Sequence, residues 1–218
     1  TAAILLIIVT AALAVAVSFS EQWQDRWTEV MSQNLAEDSV QRTPDGALEL
    51  DLPPAGHVYW FGGEEMHDYA ITARVRFLRA DDKYSGFSIF TRWSGDVWTE
   101  RDGYWVYLRP KFRSLFMQKV TGGKLDDAFA EKVEAKRPEA VPLNEWIDLR
   151  VEARGRTLEV YLNDELHLSV TDDSRFPILS GRVAFGAGNA HVVVADVEQT
   201  NLEETGEIDV GGYHYVNP

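Results

Sequence analysis

Apolar and polar residues alternate with a period of two from Ala47 to about Thr200, which is the pattern of strands with one buried face. In the clearest example, residues 69–79, every second residue is apolar: Tyr69, Ile71, Ala73, Val75 and Phe77. Turn-forming residues interrupt the alternation roughly every eight to twelve positions, which predicts about eleven short strands. This pattern is typical of an all-β protein, and we expect a two-sheet antiparallel sandwich of jelly-roll type over residues 47–200.

A different pattern occupies residues 1–20, which contain no charged residue and no proline. A helix of this length spans about 30 Å, the thickness of the hydrocarbon core of a bilayer. We therefore expect one N-terminal transmembrane helix. A cleavable signal peptide is the alternative, because Ala14-Val15-Ala16 has the small-x-small form of a cleavage site, but the apolar run is longer than such peptides usually have.

The segment between these two parts, residues 21–46, is expected to form a short amphipathic helical stalk. Its apolar residues recur at intervals of three to four: Trp23, Trp27, Val30, Met31 and Leu35. The turn residues Thr43-Pro44-Asp45-Gly46 end it. Trp23 and Trp27 lie where indoles favour the membrane interface, although packing against the domain explains them equally well. At the other end, residues 201–218 are expected to form an extended tail.

The composition limits the partners and the location. The chain has 35 acidic and 21 basic residues, a formal net charge of −14 and no cysteine. Phosphates would repel such a chain, which argues against nucleic acid as a partner. Without cysteine there is neither a disulfide nor a cysteine for lipid attachment. Residues 21–38 are net acidic, which favours a periplasmic or other extracytoplasmic location for the C-terminal domain of a single-pass membrane protein.

Several segments of the alternating region have the form of known sandwich strands. These are Glu145-Trp146-Ile147-Asp148-Leu149-Arg150-Val151-Glu152, Leu158-Glu159-Val160-Tyr161-Leu162-Asn163-Asp164, Ser180-Gly181-Arg182-Val183-Ala184-Phe185 and Val194-Ala195-Asp196-Val197. They resemble the closing half of concanavalin A-like, laminin-G-like sandwiches, and residues 85–92 and 102–106 are similar to the central strands of that group. The resemblance implies a jelly-roll fold from about residue 47 to 200. It leaves the function open, because this fold hosts lectins, glycanases, adhesion modules and inert spacers.

The carboxylates and histidines form no recognisable catalytic set. Some glycanases of this superfamily carry a Glu-x-Asp-x-x-Glu strand, but the nearest match, Glu49-Leu50-Asp51, lacks the second glutamate and is followed by Pro53-Pro54. The five histidines lack metal-ligand spacing. A structural calcium ion at Asp81-Asp82 or Asp172-Asp173 is the one cofactor considered, but paired acids at turns more often shape the turn. We therefore expect no cofactor and no metal site.

Strand alternation also predicts a surface rich in aromatic rings and arginine. The candidate binding surface consists of Arg74, Arg76, Phe90, Arg92, Trp93, Trp98, Trp105, Tyr107 and Arg109. Aromatic faces stack on sugar rings, and guanidinium groups donate forked hydrogen bonds to hydroxyls or carboxylates. The same residue types anchor protein interfaces. A sheet face covered by another part of the chain is the third interpretation.

Three functions fit these observations. The first is a non-enzymatic accessory subunit, whose helix inserts into an integral membrane protein complex (photosynthetic or respiratory, in the most specific version) while the sandwich stabilises the complex from outside. The alternative is an envelope-anchored carbohydrate-binding module, and the third is a glycoside hydrolase. The apolar run and the missing catalytic set favour the first. We therefore predict a subunit anchored in the lipid bilayer by residues 1–20, with a protein or a glycan as its second contact.

Overall fold

The computed structural model describes residues 27–33, 35–94, 101–111, 114–130 and 141–202. In these ranges the chain forms strands and one short helix, α1 (Asp127–Ala130). The strands are β1 (Trp27–Gln33), β2 (Val40–Arg42), β3 (Leu48–Asp51), β4 (His57–Met66), β5 (Tyr69–Ala80), β6 (Gly86–Ser94), β7 (Asp102–Arg109), β8 (Ser114–Thr121), β9 (Lys124–Leu125), β10 (Trp146–Arg154), β11 (Thr157–Leu162), β12 (Glu165–Thr171), β13 (Gly181–Gly188) and β14 (Ala190–Asn201).

These strands form two antiparallel sheets of seven strands each. Sheet A has the order β1-β4-β13-β6-β7-β8-β9, and sheet B has the order β12-β11-β10-β5-β14-β3-β2. The chain crosses between the sheets several times, for example from β4 in sheet A to β5 in sheet B and back to β6. The predicted all-β, two-sheet antiparallel sandwich is therefore confirmed.

One hydrophobic core fills the space between the sheets. The predicted alternation of β5 is confirmed, because its residues Tyr69, Ile71, Ala73, Val75 and Phe77 are all buried in this core. Sheet A contributes large side chains from β4, β6, β7, β8 and β13. Burial of one large apolar side chain contributes about 1.5–3 kcal/mol, so the two inner faces supply the main stabilisation of the fold.

The helical stalk expected over residues 21–46 is wrong where the structure describes it. Residues 27–33 form β1, which pairs with β4 at the edge of sheet A, and residues 40–42 form β2, which pairs with β3 at the edge of sheet B. Each ladder pairs the backbone polar groups on one side of its segment in place of helical hydrogen bonds. The sandwich therefore begins before Ala47, the boundary that the sequence predicted.

The predicted membrane anchor lies outside the described residues. Residues 1–20 and Trp23 are not among them, and the prediction about the side chain of Trp27 also falls outside the description, although its backbone begins β1. In the described ranges there is no helix with the length and apolar character needed to cross a membrane. Of the expected tail, residues 203–218 likewise lie outside the description.

Candidate functional site

The outer face of sheet A carries a continuous group of aromatic rings. We call Tyr59, Phe90, Trp93, Trp105, Tyr107 and Phe116 the aromatic face. The group arises because the antiparallel register places outward residues opposite one another, Phe90 opposite Trp105 and Tyr107 opposite Phe116. The Phe90 and Trp105 rings are stacked with their centroids 5.8 Å apart, and Trp105 is stacked on Tyr107 at 5.3 Å. Such contacts fix ring orientations and add stabilisation beyond burial alone.

Three rings of this group keep partial solvent access. Tyr59, Trp105 and Phe116 are half-buried, whereas Phe90, Trp93 and Tyr107 are buried. The half-buried Gln118 lies directly opposite Trp105 and adds an amide beside its indole. The face therefore offers flat apolar surface next to a hydrogen-bonding group.

Polar groups hold the rings in position. The Trp105 Nε1–H donates a hydrogen bond to Ser88 Oγ at 3.0 Å, and the Tyr107 hydroxyl donates to the carbonyl oxygen of Tyr84. Burial raises the pKa of Tyr59 to about 12, although a hydrogen bond with Ser88 opposes the shift. Burial also raises the pKa of Tyr107. Both phenols consequently stay protonated at neutral pH.

Two arginines stack on the aromatic face. The guanidinium carbon of Arg109 lies 4.6 Å from the centroid of Phe116, and its Nε–H donates to Ser114 Oγ at 2.9 Å. The guanidinium carbon of Arg101 lies 5.2 Å from the Trp93 ring. Burial lowers the pKa of Arg101 to about 10, so this side chain remains a cation at neutral pH. The chemistry available here is cation–π contact and forked hydrogen-bond donation.

A glycine in β13 makes room for the Tyr59 ring. A Cβ added at Gly186 would lie 2.2 Å from Tyr59 Cδ1 and 2.3 Å from the carbonyl oxygen of Val58. Gly188, two residues along the same strand, is more open, because the nearest atom to an added Cβ is 3.6 Å away.

We expect Gly186→Ala to lower the free energy of unfolding by about 1–3 kcal/mol, because the methyl group displaces the Tyr59 ring and the neighbouring backbone. Gly188→Ala is the matched control and should change it by less than about 1 kcal/mol. Urea denaturation measures both values, and near-ultraviolet circular dichroism should change only in the Gly186 variant. Equal stabilities of the two variants would contradict this account of how Tyr59 is placed.

Arg74 and Arg76 do not belong to the aromatic face. Both point outward, as the alternation predicted, but β5 lies in sheet B, so they occupy the opposite side of the sandwich. Arg74 forms ion pairs with Asp148 at 3.4 Å and Asp196 at 3.1 Å. Arg76 stacks on Trp146 with its guanidinium carbon 4.7 Å from the ring centroid. The predicted surface is therefore divided between two sheets.

Arg92 was expected on the outer surface, and this prediction is wrong. The ladder between β6 and β7 shifts register between Thr91 and Ser94, and Arg92 has a φ of 52°. This bulge turns the side chain inward, where it is fully buried. Its guanidinium donates to the carbonyl oxygens of His67 at 2.9 Å and Ile178 at 3.0 Å. Arg92 is thus a structural residue; Trp98, another predicted surface residue, lies outside the described residues.

The carboxylates that the sequence offered for catalysis or calcium binding contact neighbouring residues of the fold. Glu49 Oε1 lies 2.7 Å from His191 Nε2, and Asp51 forms an ion pair with Arg79 at 2.7 Å on the outer face of sheet B. Asp82 accepts a hydrogen bond from the backbone N–H of Tyr84 at 2.7 Å and so shapes its own turn. Within the described ranges, His, Asp and Glu residues form no group suited to hold a metal ion.

One buried charged group was missed by the sequence reasoning. Lys119 of β8 faces the core and forms an ion pair with the buried Asp172 at 2.8 Å. The Tyr104 hydroxyl donates to the same carboxylate at 2.6 Å. The sequence does contain a signal for this group, because Lys119 occupies a position of β8 at which the alternation predicts an apolar, inward-facing residue.

Residues 17–198 match the model of the 3-keto-alpha-glucoside-1,2-lyase-like domain. The chain belongs to this family. The matched range includes β1 and β2 together with nearly all of the sandwich. No protein of curated function matches the sequence.

Solved structures with the same fold include several carbohydrate-binding proteins. The carbohydrate-binding module CBM66 from Bacillus subtilis is 16% identical, with a TM-score of 0.60, over 80% of this chain and 95% of that chain. A Bacillus subtilis protein of unknown function with a galectin-like fold is 14% identical, with a TM-score of 0.61, over 80% and 89%. The metal-free carbohydrate recognition domain of Emp46p is 12% identical, with a TM-score of 0.59, over 81% and 88%. At these identities the likeness establishes the fold alone.

Proposed function

We propose that the chain is a glycan-binding module whose site is the aromatic face of sheet A. The observation that carries this proposal is the stacked series of Phe90, Trp105 and Tyr107, which presents the half-buried Trp105 ring beside Gln118. A flat ring of this kind packs against the apolar face of a sugar, while neighbouring amide and guanidinium groups bond its hydroxyls. The carbohydrate-binding proteins of the same fold support this hypothesis over the membrane-complex subunit that the sequence favoured.

We also propose that the module binds glycans without cleaving them, although its family is described as lyase-like. Most glycoside hydrolases place two carboxyl groups on either side of the scissile bond. Among the described residues, the outward positions in the central rows of this face are occupied by Ser88, Phe90, Trp105, Tyr107, Phe116, Gln118, Ala184 and Gly186. A binding surface built of rings, small residues and one amide suits recognition better than general acid–base chemistry.

The location that we propose for the module rests on the sequence. Residues 1–20 would hold the module at a membrane, and the acidic residues that follow would place it on the non-cytoplasmic side. An anchored module of this kind would keep polysaccharide close to the cell envelope. Expression of the full chain with a C-terminal tag, followed by membrane fractionation and protease accessibility, tests this placement.

Trp105→Ala is expected to weaken polysaccharide binding at least about tenfold, because it removes the half-buried ring at the centre of the face. Retardation in native gels containing dextran, mannan, laminarin or polygalacturonate measures the binding. Trp146→Ala, which removes a ring on the outer face of sheet B, is the matched control and should bind as the wild type does. Thermal melting establishes that both variants are folded.

Two results would overturn the proposal. If none of the four polysaccharides retards the wild-type protein, the aromatic face is not a glycan site. The same conclusion follows if Trp105→Ala binds the polysaccharide as tightly as Trp146→Ala does. Conversion of a 3-keto-α-glucoside by the wild-type protein, followed by chromatography of the products, would overturn the non-catalytic part alone. The polysaccharide binding assays therefore test the site, and the 3-keto-α-glucoside assay tests whether the protein is catalytic.

A further inference from the structure

An arginine lies at each end of the aromatic face, because Arg101 immediately precedes β7 and Arg109 is its last residue. The eight residues of β7 separate the two Cα atoms by roughly 26 Å. The guanidinium carbon of Arg109 lies 4.6 Å from the centroid of Phe116 and 5.9 Å from that of Tyr107. Tyr107 is in turn stacked on Trp105 at 5.3 Å. Ring contacts therefore connect Arg109 to the ring that we propose as the sugar platform.

Two lysines join Arg109 at its end of the face. The Arg109 Nη1–H donates to the carbonyl oxygen of Lys83 at 3.5 Å, and the Lys111 ammonium donates to the carbonyl oxygen of Asp81. Both lysines are exposed. The three basic residues therefore gather around the turn between β5 and β6, and we call Lys83, Arg109 and Lys111 the cationic end of the aromatic face.

The carboxylates of this turn have other contacts. Asp81 forms an ion pair at 2.5 Å with Arg79, which belongs to β5 of sheet B. Asp82 accepts hydrogen bonds from the backbone N–H of Tyr84 at 2.7 Å and from Ser85 Oγ at 3.2 Å. The two carboxylates are thus engaged by Arg79 and by the turn itself.

The central rows of the aromatic face carry no acidic residue. Among the described residues, their outward positions are occupied by serine, glycine, alanine, glutamine and aromatic residues, although the whole chain has a net charge of −14. Charges farther away than about 10 Å are largely screened at 0.1 M ionic strength, so a ligand on this face interacts mainly with the nearby cations. This distribution of charge favours an anionic ligand on an otherwise acidic protein.

Arg109 has the chemistry to bind a carboxylate directly. Its guanidinium is planar and presents forked donors that match the two oxygens of a carboxylate. The side chain is half-buried against Phe116, and a charge pair in a partly dry site is stronger than one in bulk water. The hydrogen bond from Nε–H to Ser114 Oγ at 2.9 Å orients the guanidinium before a ligand arrives.

We infer that the glycan bound at the aromatic face is a uronic-acid polysaccharide, with one sugar ring stacked on Trp105 and a carboxylate bound by Arg109. Lys83 and Lys111 add positive charge around the same carboxylate. This inference rests on the proposed function of the aromatic face and names the class of glycan that the face selects. A neutral glycan would use the rings but would gain nothing from the cationic end.

The experiment compares hexagalacturonate with its methyl ester, which has the same sugar chain without the charge. Isothermal titration calorimetry at 0.15 M NaCl should show at least about tenfold tighter binding of the acid by the wild-type protein. Arg109→Gln is expected to weaken binding of the acid at least about tenfold and binding of the ester less than about twofold. Arg109→Lys keeps the charge without the fork and should recover part of the affinity.

Arg74→Gln is the matched control for this experiment. It makes the same change of charge on the outer face of sheet B, where Arg74 also lies over a ring, 4.9 Å from the centroid of Trp146. It should bind hexagalacturonate as the wild type does. Thermal melting establishes that each variant is folded. If Arg109→Gln does not fold, Lys111→Gln replaces it and should weaken binding of the acid about threefold without affecting the ester.

The outcomes separate this inference from the proposed function. If the wild type binds the ester or dextran as tightly as hexagalacturonate, and Trp105→Ala loses that binding, the acidic specificity is wrong and the aromatic-face site stands. If Arg109→Gln weakens binding of acid and ester equally, or no more than Arg74→Gln does, Arg109 does not recognise the carboxylate and the inference is also wrong. If the wild type binds none of these ligands and none of the four polysaccharides, the proposed function and this inference fail together.

Discussion

Arg92→Met is expected to lower the free energy of unfolding by more than about 3 kcal/mol. Methionine keeps part of the length of the side chain but none of the donors that reach the carbonyl oxygens of His67, Gly155 and Ile178. Each buried acceptor left without a partner costs about 1–3 kcal/mol. The ion pair with Asp68, at 3.4 Å, is lost as well. Urea denaturation followed by tryptophan fluorescence measures the change.

Arg79→Met provides the control for this prediction. Arg79 also pairs with carboxylates, Asp51 and Asp81, but these groups lie on the exposed face of sheet B. Exposed ion pairs contribute about 0–1 kcal/mol, so the control should lie within about 1 kcal/mol of wild type. If Arg92→Met is as stable as Arg79→Met, the buried hydrogen bonds do not organise this part of the fold.

Arg92 also shows where strand alternation stops being informative. The alternation correctly assigned the outward positions of β6 up to Phe90, and it correctly placed Trp105 and Tyr107 on the same side of the sheet. It failed at the bulge after Thr91, because one irregular residue reverses the direction of the next side chain. The tertiary contacts of Arg92 with carbonyls far along the chain stabilise that bulge, and they leave no local signal in the sequence.

Arg74 and Arg76 illustrate a different limit. Their outward direction follows from the period of two in β5 and was predicted correctly. A sandwich, however, has two outer faces, and the alternation does not say which strands share a sheet. The crossover from β5 in sheet B to β6 in sheet A separates these arginines from the aromatic face.

The stalk failed because a short segment with apolar residues every three or four positions is compatible with more than one structure. Short isolated helices are marginally stable, whereas a sheet edge presents unpaired N–H and C=O groups to which a further strand can bind. The strands that residues 27–33 and 40–42 pair with, β4 and β3, follow them in the chain, and no local pattern in the two segments marks this pairing. The core strands were predictable because burial of one face of a strand requires an apolar residue at every second position.

Lys119→Met is expected to lower the free energy of unfolding by about 3–5 kcal/mol, because it leaves the carboxylate of Asp172 buried without its cation. Lys124→Met, at an exposed position of β9, is the matched control and should change the stability by less than about 0.5 kcal/mol. The double variant Lys119→Met/Asp172→Leu should recover part of the loss, since replacing both charges removes the uncompensated one. A single variant as stable as the control would show that the pair is not needed.

The effect of Asp172→Asn should depend on pH in one direction. Burial raises the pKa of Asp172, but the hydrogen bonds from Lys119, Ser174 and Tyr104 outweigh it and hold the pKa below the ordinary value of 3.8. The folded state therefore binds the proton less tightly than the unfolded state does. The stabilisation from the ionised carboxylate is fully present above about pH 4 and is lost as the pH falls through the folded-state pKa. Urea denaturation at pH 7 and pH 3 should accordingly show a smaller difference between wild type and Asp172→Asn at the lower pH, whereas a difference that grew on acidification would contradict the role assigned to the Lys119–Asp172 pair.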